Sequence, residues 1–130
     1  MTWRNSSHVL ELRKWVNRHY PQRDKRSDGT IGNAAHRATK SDHNPDPQTG
    51  VVRAFDIDAD LIPKAKDRSE AYRLAEMLRN DGKFDRRPIA YVIFSGKIAS
   101  PKRRWKWRKY TGNNPHLSHI HVSFRETANE

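Results

Sequence analysis

At 130 residues the chain is long enough for one domain with a modest hydrophobic core. It carries 26 Lys and Arg against 15 Asp and Glu, a formal charge of +11, so its surface attracts polyanions: nucleic acid, anionic cell-wall polymers or acidic lipid. Cysteine is absent, which excludes disulfides and thiolate zinc sites. No apolar run approaches the roughly 18 residues of a membrane span.

The expected elements follow in order. Ser6 or Ser7 caps a first helix running to His19, with Leu12, Trp15, Val16 and His19 on one face and Pro21 as its stop. Residues 22–30 are charged and contain Asp28-Gly29, a loop signal. One or two helical turns follow over Asn33–Thr39. Val51–Asp58 reads as a strand in which Val52, Ala54, Asp56 and Asp58 share a face. Ile62-Pro63 opens a polar connection to a second helix, Ser69–Asn80, capped by Ser69 and ended by Asp81-Gly82, with Ala71, Leu74, Ala75 and Leu78 as its stripe. Ile89–Ser95 reads as a central strand, turned at Gly96 into Lys97–Ala99. Pro101–Tyr110 is basic and aromatic; its Lys102–Lys109 core is either a solvated loop with inward tryptophans or a cleft wall that holds an anionic polymer. Thr111–Pro115 is a turn, Ile120, Val122 and Phe124 mark a last strand, and Glu126–Glu130 is expected to fray. Helices early and midway with later pairing strands make an α+β pattern in a single domain over residues 1–130.

Four of the seven histidines lie in Ser41–Pro45 and His116–Val122. His119 and His121, two apart on a strand, point into one space. Asp56, on a face of small and apolar side chains, is costly to bury unless it meets a metal or a cation. Imidazoles plus a carboxylate are the zinc ligand set available without thiolates, and a catalytic zinc takes three protein ligands and leaves one position open. His43, Asp56 and His121 are the candidates. An unperturbed histidine titrates near neutral pH, a property that makes His116 and His119 the expected proton-transfer groups. Asp58 and Asp60 read as solvated strand-end carboxylates, Ser41 as a turn residue, and His8, His19 and His36 as ordinary helix or loop positions.

The pattern Ser41-x-His43, Gly50, Ala54-x-Asp56 and His119-x-His121 resembles the M15 and LAS group of zinc peptidases. That group includes D-alanyl-D-alanine peptidases, VanX-type dipeptidases, penicillin-insensitive murein endopeptidases and phage endolysins. The resemblance covers about residues 35 to 124. It implies one zinc per chain on His43, Asp56 and His121, with His116 and His119 as acid–base or transition-state groups. It also implies Arg37 as a basic residue steadying substrate carboxylates or the oxyanion. The implied fold is a small antiparallel sheet carrying the zinc site, flanked by two main helices, Hedgehog/DD-peptidase-like. The chain departs from the family in two places. The step from His43 to Asp56 is longer, with Asn44–Thr49 inserted, which leaves Asp58 as an alternative ligand. Ser118 stands where the VanX-like branch has an acidic residue, whereas the spacing of His116, His119 and His121 is similar to the murein endopeptidase branch.

These readings together give the expectation of a zinc-dependent peptidoglycan peptidase, a phage endolysin or its catalytic domain, hydrolysing an amide bond in stem or cross-link peptides. Met1–Arg4 leads into no signal-peptide core, so the expectation is synthesis in the cytoplasm, action on the wall after holin-type membrane permeabilisation, and no membrane insertion. The expected partners are peptidoglycan and anionic wall polymers, with no specific nucleic acid and a monomeric state. Two other classes compete. Asp42-His43-Asn44-Pro45 outlines the start of an HNH-like nuclease motif, but no histidine follows between Asp46 and Pro115. A non-catalytic wall-binding module would be expected to lack a ligand or an acid–base group.

Overall fold

A computed structural model describes residues 2–30, 41–63 and 67–130. The turns expected over Asn33–Thr39, with His36 and Arg37, lie outside the described residues. Those residues form an α+β structure of two helices and a five-stranded antiparallel sheet, with a short parallel strand pair.

Helix α1 (Ser7–His19) starts as the sequence predicts: the Ser6 hydroxyl accepts from the His8 amide at 3.2 Å and so satisfies one of the orphan donors of the first turn. Its buried stripe is Val9, Leu12 and Val16. Trp15 sits at the border, and His19 lies outside the core, its ring 3.8 Å from that of Trp15. Helix α2 (Ser69–Lys83) buries Ala71, Leu74, Ala75 and Leu78, as expected. Both its ends differ from expectation. The N-cap position is Arg68, which makes no side-chain cap bond; Asp67, one residue earlier, accepts from the Ser69 amide through Oδ1 at 3.2 Å. Gly82 does not stop the helix: the Trp105 ring packs where a Cβ would stand, so glycine serves close approach here rather than a turn.

Strands β1 (Arg4–Asn5) and β2 (Val51–Val52) pair in parallel. The main sheet has β3 (Ala54–Asp58), β4 (Ile89–Phe94), β5 (Lys97–Ala99), β6 (Arg108–Lys109) and β7 (His119–Phe124), in the order β3-β7-β4-β5-β6. The single strand expected over Val51–Asp58 is therefore broken at Arg53. That side chain turns to Asp46 at 2.8 Å and Glu130 at 2.6 Å. Arg4 Nη1 also donates to the Glu130 carbonyl at 2.7 Å, and Ser7 Oγ donates to that of Asn129 at 3.0 Å. The tail expected to fray is pinned by these contacts.

The ladders give the sheet two unlike faces. Phe55, Ile57, Ile120, Val122, Val92 and Phe94 face α1 and α2 in one buried cluster. Asp56, Asp58, His119, His121, Ser123 and Tyr91 alternate with them and face the other way. The basic segment serves packing through its tryptophans: Trp105 is buried, and Trp107 Nε1 donates to Glu76 at 3.1 Å. Lys102, Arg103, Arg104 and Lys106 are exposed.

Trp105→Ala should destabilise the protein by about 3–5 kcal/mol, the usual cost of truncating a buried aromatic side chain. Equilibrium denaturant unfolding checks this; a loss below about 1 kcal/mol would mean that α2 does not depend on that ring.

Candidate metal centre

The β3–β7 ladder sets Asp56 directly opposite His121 and Asp58 opposite His119. Asp56 Oδ1 lies 3.0 Å from His121 Nδ1, and Oδ2 lies 3.1 Å from His43 Nε2 and 3.5 Å from His119 Nε2. His43 arrives from a turn that Ser41 organises, as expected: the Ser41 hydroxyl accepts from the His43 amide at 3.2 Å, and its carbonyl from the Asn44 amide at 3.0 Å. The Asp56 backbone is held on its other side by Gly29, through bonds of 3.1 and 2.8 Å. His116 completes the group, with ring centroids 4.9 Å from His119 and 5.1 Å from His121.

The histidine tautomers follow from their partners. His43 Nδ1 meets the Thr30 carbonyl, which can only accept, so that nitrogen carries the proton and Nε2 faces Asp56. His121 Nε2 meets Ser123 Oγ at 2.8 Å, which leaves Nδ1 for the carboxylate. An ionised carboxylate is an acceptor, and a neutral His43 with its proton on Nδ1 offers it a second acceptor at Nε2, whereas a neutral His121 can still donate from Nδ1. Each of these contacts therefore needs a proton on the ring nitrogen or a cation shared between the two atoms.

Charge shifts agree with this. Burial pushes Asp56 up, but the hydrogen bonds and positive charge of His121 and His43 outweigh it and hold the carboxyl well below its usual range. For His43, burial pulls downward, while Asp56 and the Thr30 carbonyl raise it above its ordinary value. His116 goes the other way: burial, then the charges of His121 and His119, press it down to about 4, despite the opposing pull of Asp56.

His43, Asp56 and His121 each offer one ligand atom, all within 4.8 Å of one another, and can hold a metal ion. Tetrahedral bonds of about 2.0–2.1 Å space ligand atoms about 3.3 Å apart; His121 and His43 each approach a different oxygen of Asp56, at 3.0 and 3.1 Å. Two imidazoles and a carboxylate are donors that zinc-class ions accept. Asp58, the alternative ligand, is not a solvated strand end. It is buried, its Oδ2 accepts from the Ser27 amide and hydroxyl at 3.0 and 2.9 Å, and its Oδ1 accepts from the Asp60 amide at 2.8 Å. Asp60 is exposed, as expected. Asp24, Asp58 and Asp60 form a further acidic group, but these bonds already engage both oxygens of its buried member. Arg37 lies outside the described residues.

Sequence reasoning missed three neighbours. The Tyr91 ring stacks on His121 at 5.4 Å, and its hydroxyl donates to Asp42 at 2.6 Å; burial and the Asp42 charge push that phenol up. Ser123 and the Thr30 carbonyl fix the two imidazoles. The readable signal was the period of two in His119-x-His121-x-Ser123, which puts Ser123 on the histidine face. Comparison with protein-family models, curated proteins and solved structures gives no match for this chain.

Ser123→Ala should weaken binding of a metal ion by about 10-fold or more while leaving the fold intact, because hydrogen-bond partners of ligating histidines contribute on that scale. Competition with a chromophoric chelator measures it, and unchanged affinity would remove Ser123 from the site. The same assay should show pH dependence of one sign. A proton on His43 Nε2 competes with the metal, and the raised pKa of that ring means metal affinity starts to fall above about pH 6.5 and declines further as pH drops.

Proposed function

We propose that the chain is a zinc-dependent peptidase that hydrolyses an amide bond in the stem or cross-link peptides of peptidoglycan. The observation that carries this reading is the convergence of His43, His119 and His121 on the two oxygens of Asp56, with His116 buried beside them. The reading is supported by the resemblance to the M15 and LAS peptidases, and the cluster stands on the face of the antiparallel sheet opposite to the two helices.

In this reading His43, Asp56 and His121 hold the zinc. When bound, the ion polarises a carbonyl and lowers the pKa of water near it. His116 is neutral at pH 7, since burial and the neighbouring histidines hold it near 4, so it can accept a proton. His119 presents Nε2 beside Asp56 and can hold a proton toward the leaving amine. A cleft of about 530 Å³ is lined by Ser41, Asp42, Asn44, Arg53 and Tyr91 among others; it meets the cluster through Tyr91, which stacks on His121, and in this reading it takes part of the peptide. The surface charge of +11 draws the enzyme to anionic wall polymers. A phage endolysin reaching the wall after membrane permeabilisation fits such a protein. This placement rests on analogy with the family.

The direct test is mass spectrometry of purified peptidoglycan digested with and without chelator, alongside elemental analysis of the protein. New peptide termini that vanish with chelator support the reading. Bound metal without peptide cleavage would overturn it and make nucleic acid the substrate to try. His121→Ala should lose the metal. His119→Ala should keep it and lose at least about 100-fold in turnover, the usual scale for a positioned acid or base; a fully active variant would remove His119 from the catalytic set. Rising salt should slow attack on whole walls but not on a small soluble peptide.

A further inference from the structure

We propose that the cluster takes a second divalent cation of the zinc class on His116, His119 and Asp56, and that filling this position stops the reaction at the first. The inference rests on the reading of His43, Asp56 and His121 as the primary metal centre.

Two groups of metal-ligating atoms meet at one carboxylate. His43, Asp56 and His121 form the first, and Asp56, His116 and His119 form the second, the atoms of each lying within 4.8 Å of one another. The carboxylate can serve both groups, because its two oxygens offer about four lone-pair sites. Oδ1 lies toward His121 at 3.0 Å, whereas Oδ2 lies between His43 at 3.1 Å and His119 at 3.5 Å.

The second group also carries an independent sign of a missing partner. His116 Nδ1 and His119 Nε2 are both buried without a hydrogen-bond partner among the described residues. His116 is 8% exposed and its backbone adopts a left-handed φ of 56°, a conformation that a non-glycine residue keeps only where its surroundings impose it. Those surroundings are visible. The Ser95 amide donates to the His116 carbonyl at 2.9 Å, the Gly96 amide to the Pro115 carbonyl at 2.8 Å, and the His116 amide to Asn114 Oδ1 at 2.9 Å. The chain thus holds an unsatisfied imidazole at a fixed place beside a second one and a carboxylate. Two imidazole nitrogens and a carboxylate oxygen are donors that zinc-class ions accept.

The consequence is inhibitory. A histidine whose lone pair is bound to a cation cannot take up or deliver a proton, and the second position uses both histidines assigned to proton transfer. The two positions also share one anionic charge, so the second ion should bind more weakly than the first by roughly 10-fold or more.

The test is a titration of the metal-free full chain with zinc by calorimetry, repeated with cobalt(II) so that visible absorption reports each ion's ligand field. About two equivalents are expected for the wild type, the second weaker. His116→Ala and, separately, His119→Gln should lose the second phase and keep the first. Peptide cleavage should rise to the first equivalent and fall several-fold as the second fills. A single equivalent at excess metal overturns the proposal. So does a second equivalent that persists in both variants, which would place it at other histidines such as His8 or His19. Circular dichroism melts confirm that each variant is folded, and His119→Gln, at the less buried of the two positions, serves if His116→Ala is not. No binding at all would defeat both this proposal and the peptidase reading. Two equivalents with both variants behaving as expected, but no peptide cleaved at any loading, would defeat the peptidase reading alone.

Discussion

The placement of Asp56 opposite His121 in the β3–β7 ladder is the constraint from which the rest of the site follows. Side chains alternate along a strand, so a slip of one residue would exchange the two faces. Phe55 and Ile57 would then turn toward the histidines and Asp56 would enter the core against α1 and α2. That alternative would bury a carboxylate among Val9, Leu12, Leu74 and Leu78 and expose two large apolar groups. The hydrophobic face therefore sets the register, and the register brings the carboxylate to the imidazoles. Packing and chemistry are in this way specified by the same pairing.

Asp56 is one of several acidic residues that a strongly basic chain places at structural points. Buried Arg23 binds both oxygens of Asp28, at 2.9 and 2.6 Å, and Asp28 Oδ1 also accepts from the Asp58 amide at 2.8 Å. Asp58 in turn holds Ser27. These contacts tie residues 23–29 against β3 and bring Gly29 into its bridge with Asp56. The carboxylate that faces the histidines thus has its backbone fixed from both sides, by β7 and by this loop. Preorganisation of that kind lets a site hold its charged groups close without reorganising when a ligand arrives.

Much of this was legible in the sequence where the signal was local. Period-two spacing placed His119 and His121 together, the stripe Ala71, Leu74, Ala75 and Leu78 found the buried face of α2, and Ser95-Gly96 marked a hairpin. What escaped depended on contacts between distant parts of the chain. Arg53 lies in an apolar run that reads as unbroken strand, and the break appears once Asp46 and Glu130 are in place around it. Gly82 carries the signature of a helix stop, overridden by the Trp105 ring arriving from 23 positions downstream. Asp58 reads as a solvated strand end because the donors that bury it belong to Ser27 and Asp60. Tyr91 reads as an ordinary strand aromatic until the β4–β7 register sets it opposite Ser123 and stacks it on His121.

The five site residues come from two kinds of backbone. Asp56, His119 and His121 stand on paired strands, where ladder hydrogen bonds fix them relative to one another. His43 and His116 come from turns, each held by its own local bonds: His43 by Ser41 and the Thr30 carbonyl, His116 by Asn114 and the amides at the β4–β5 hairpin tip. Each group that could hold a metal ion therefore joins Asp56 to one histidine of β7 and one histidine of a turn. The strands supply the part that cannot move without breaking the sheet, and the turns supply the part that can be adjusted separately. A change at Ser95 or Gly96 acts on the His116 side of Asp56, and a change at Ser41 acts on the His43 side. The two sides of one carboxylate are thus under independent structural control, although both depend on the same strand register.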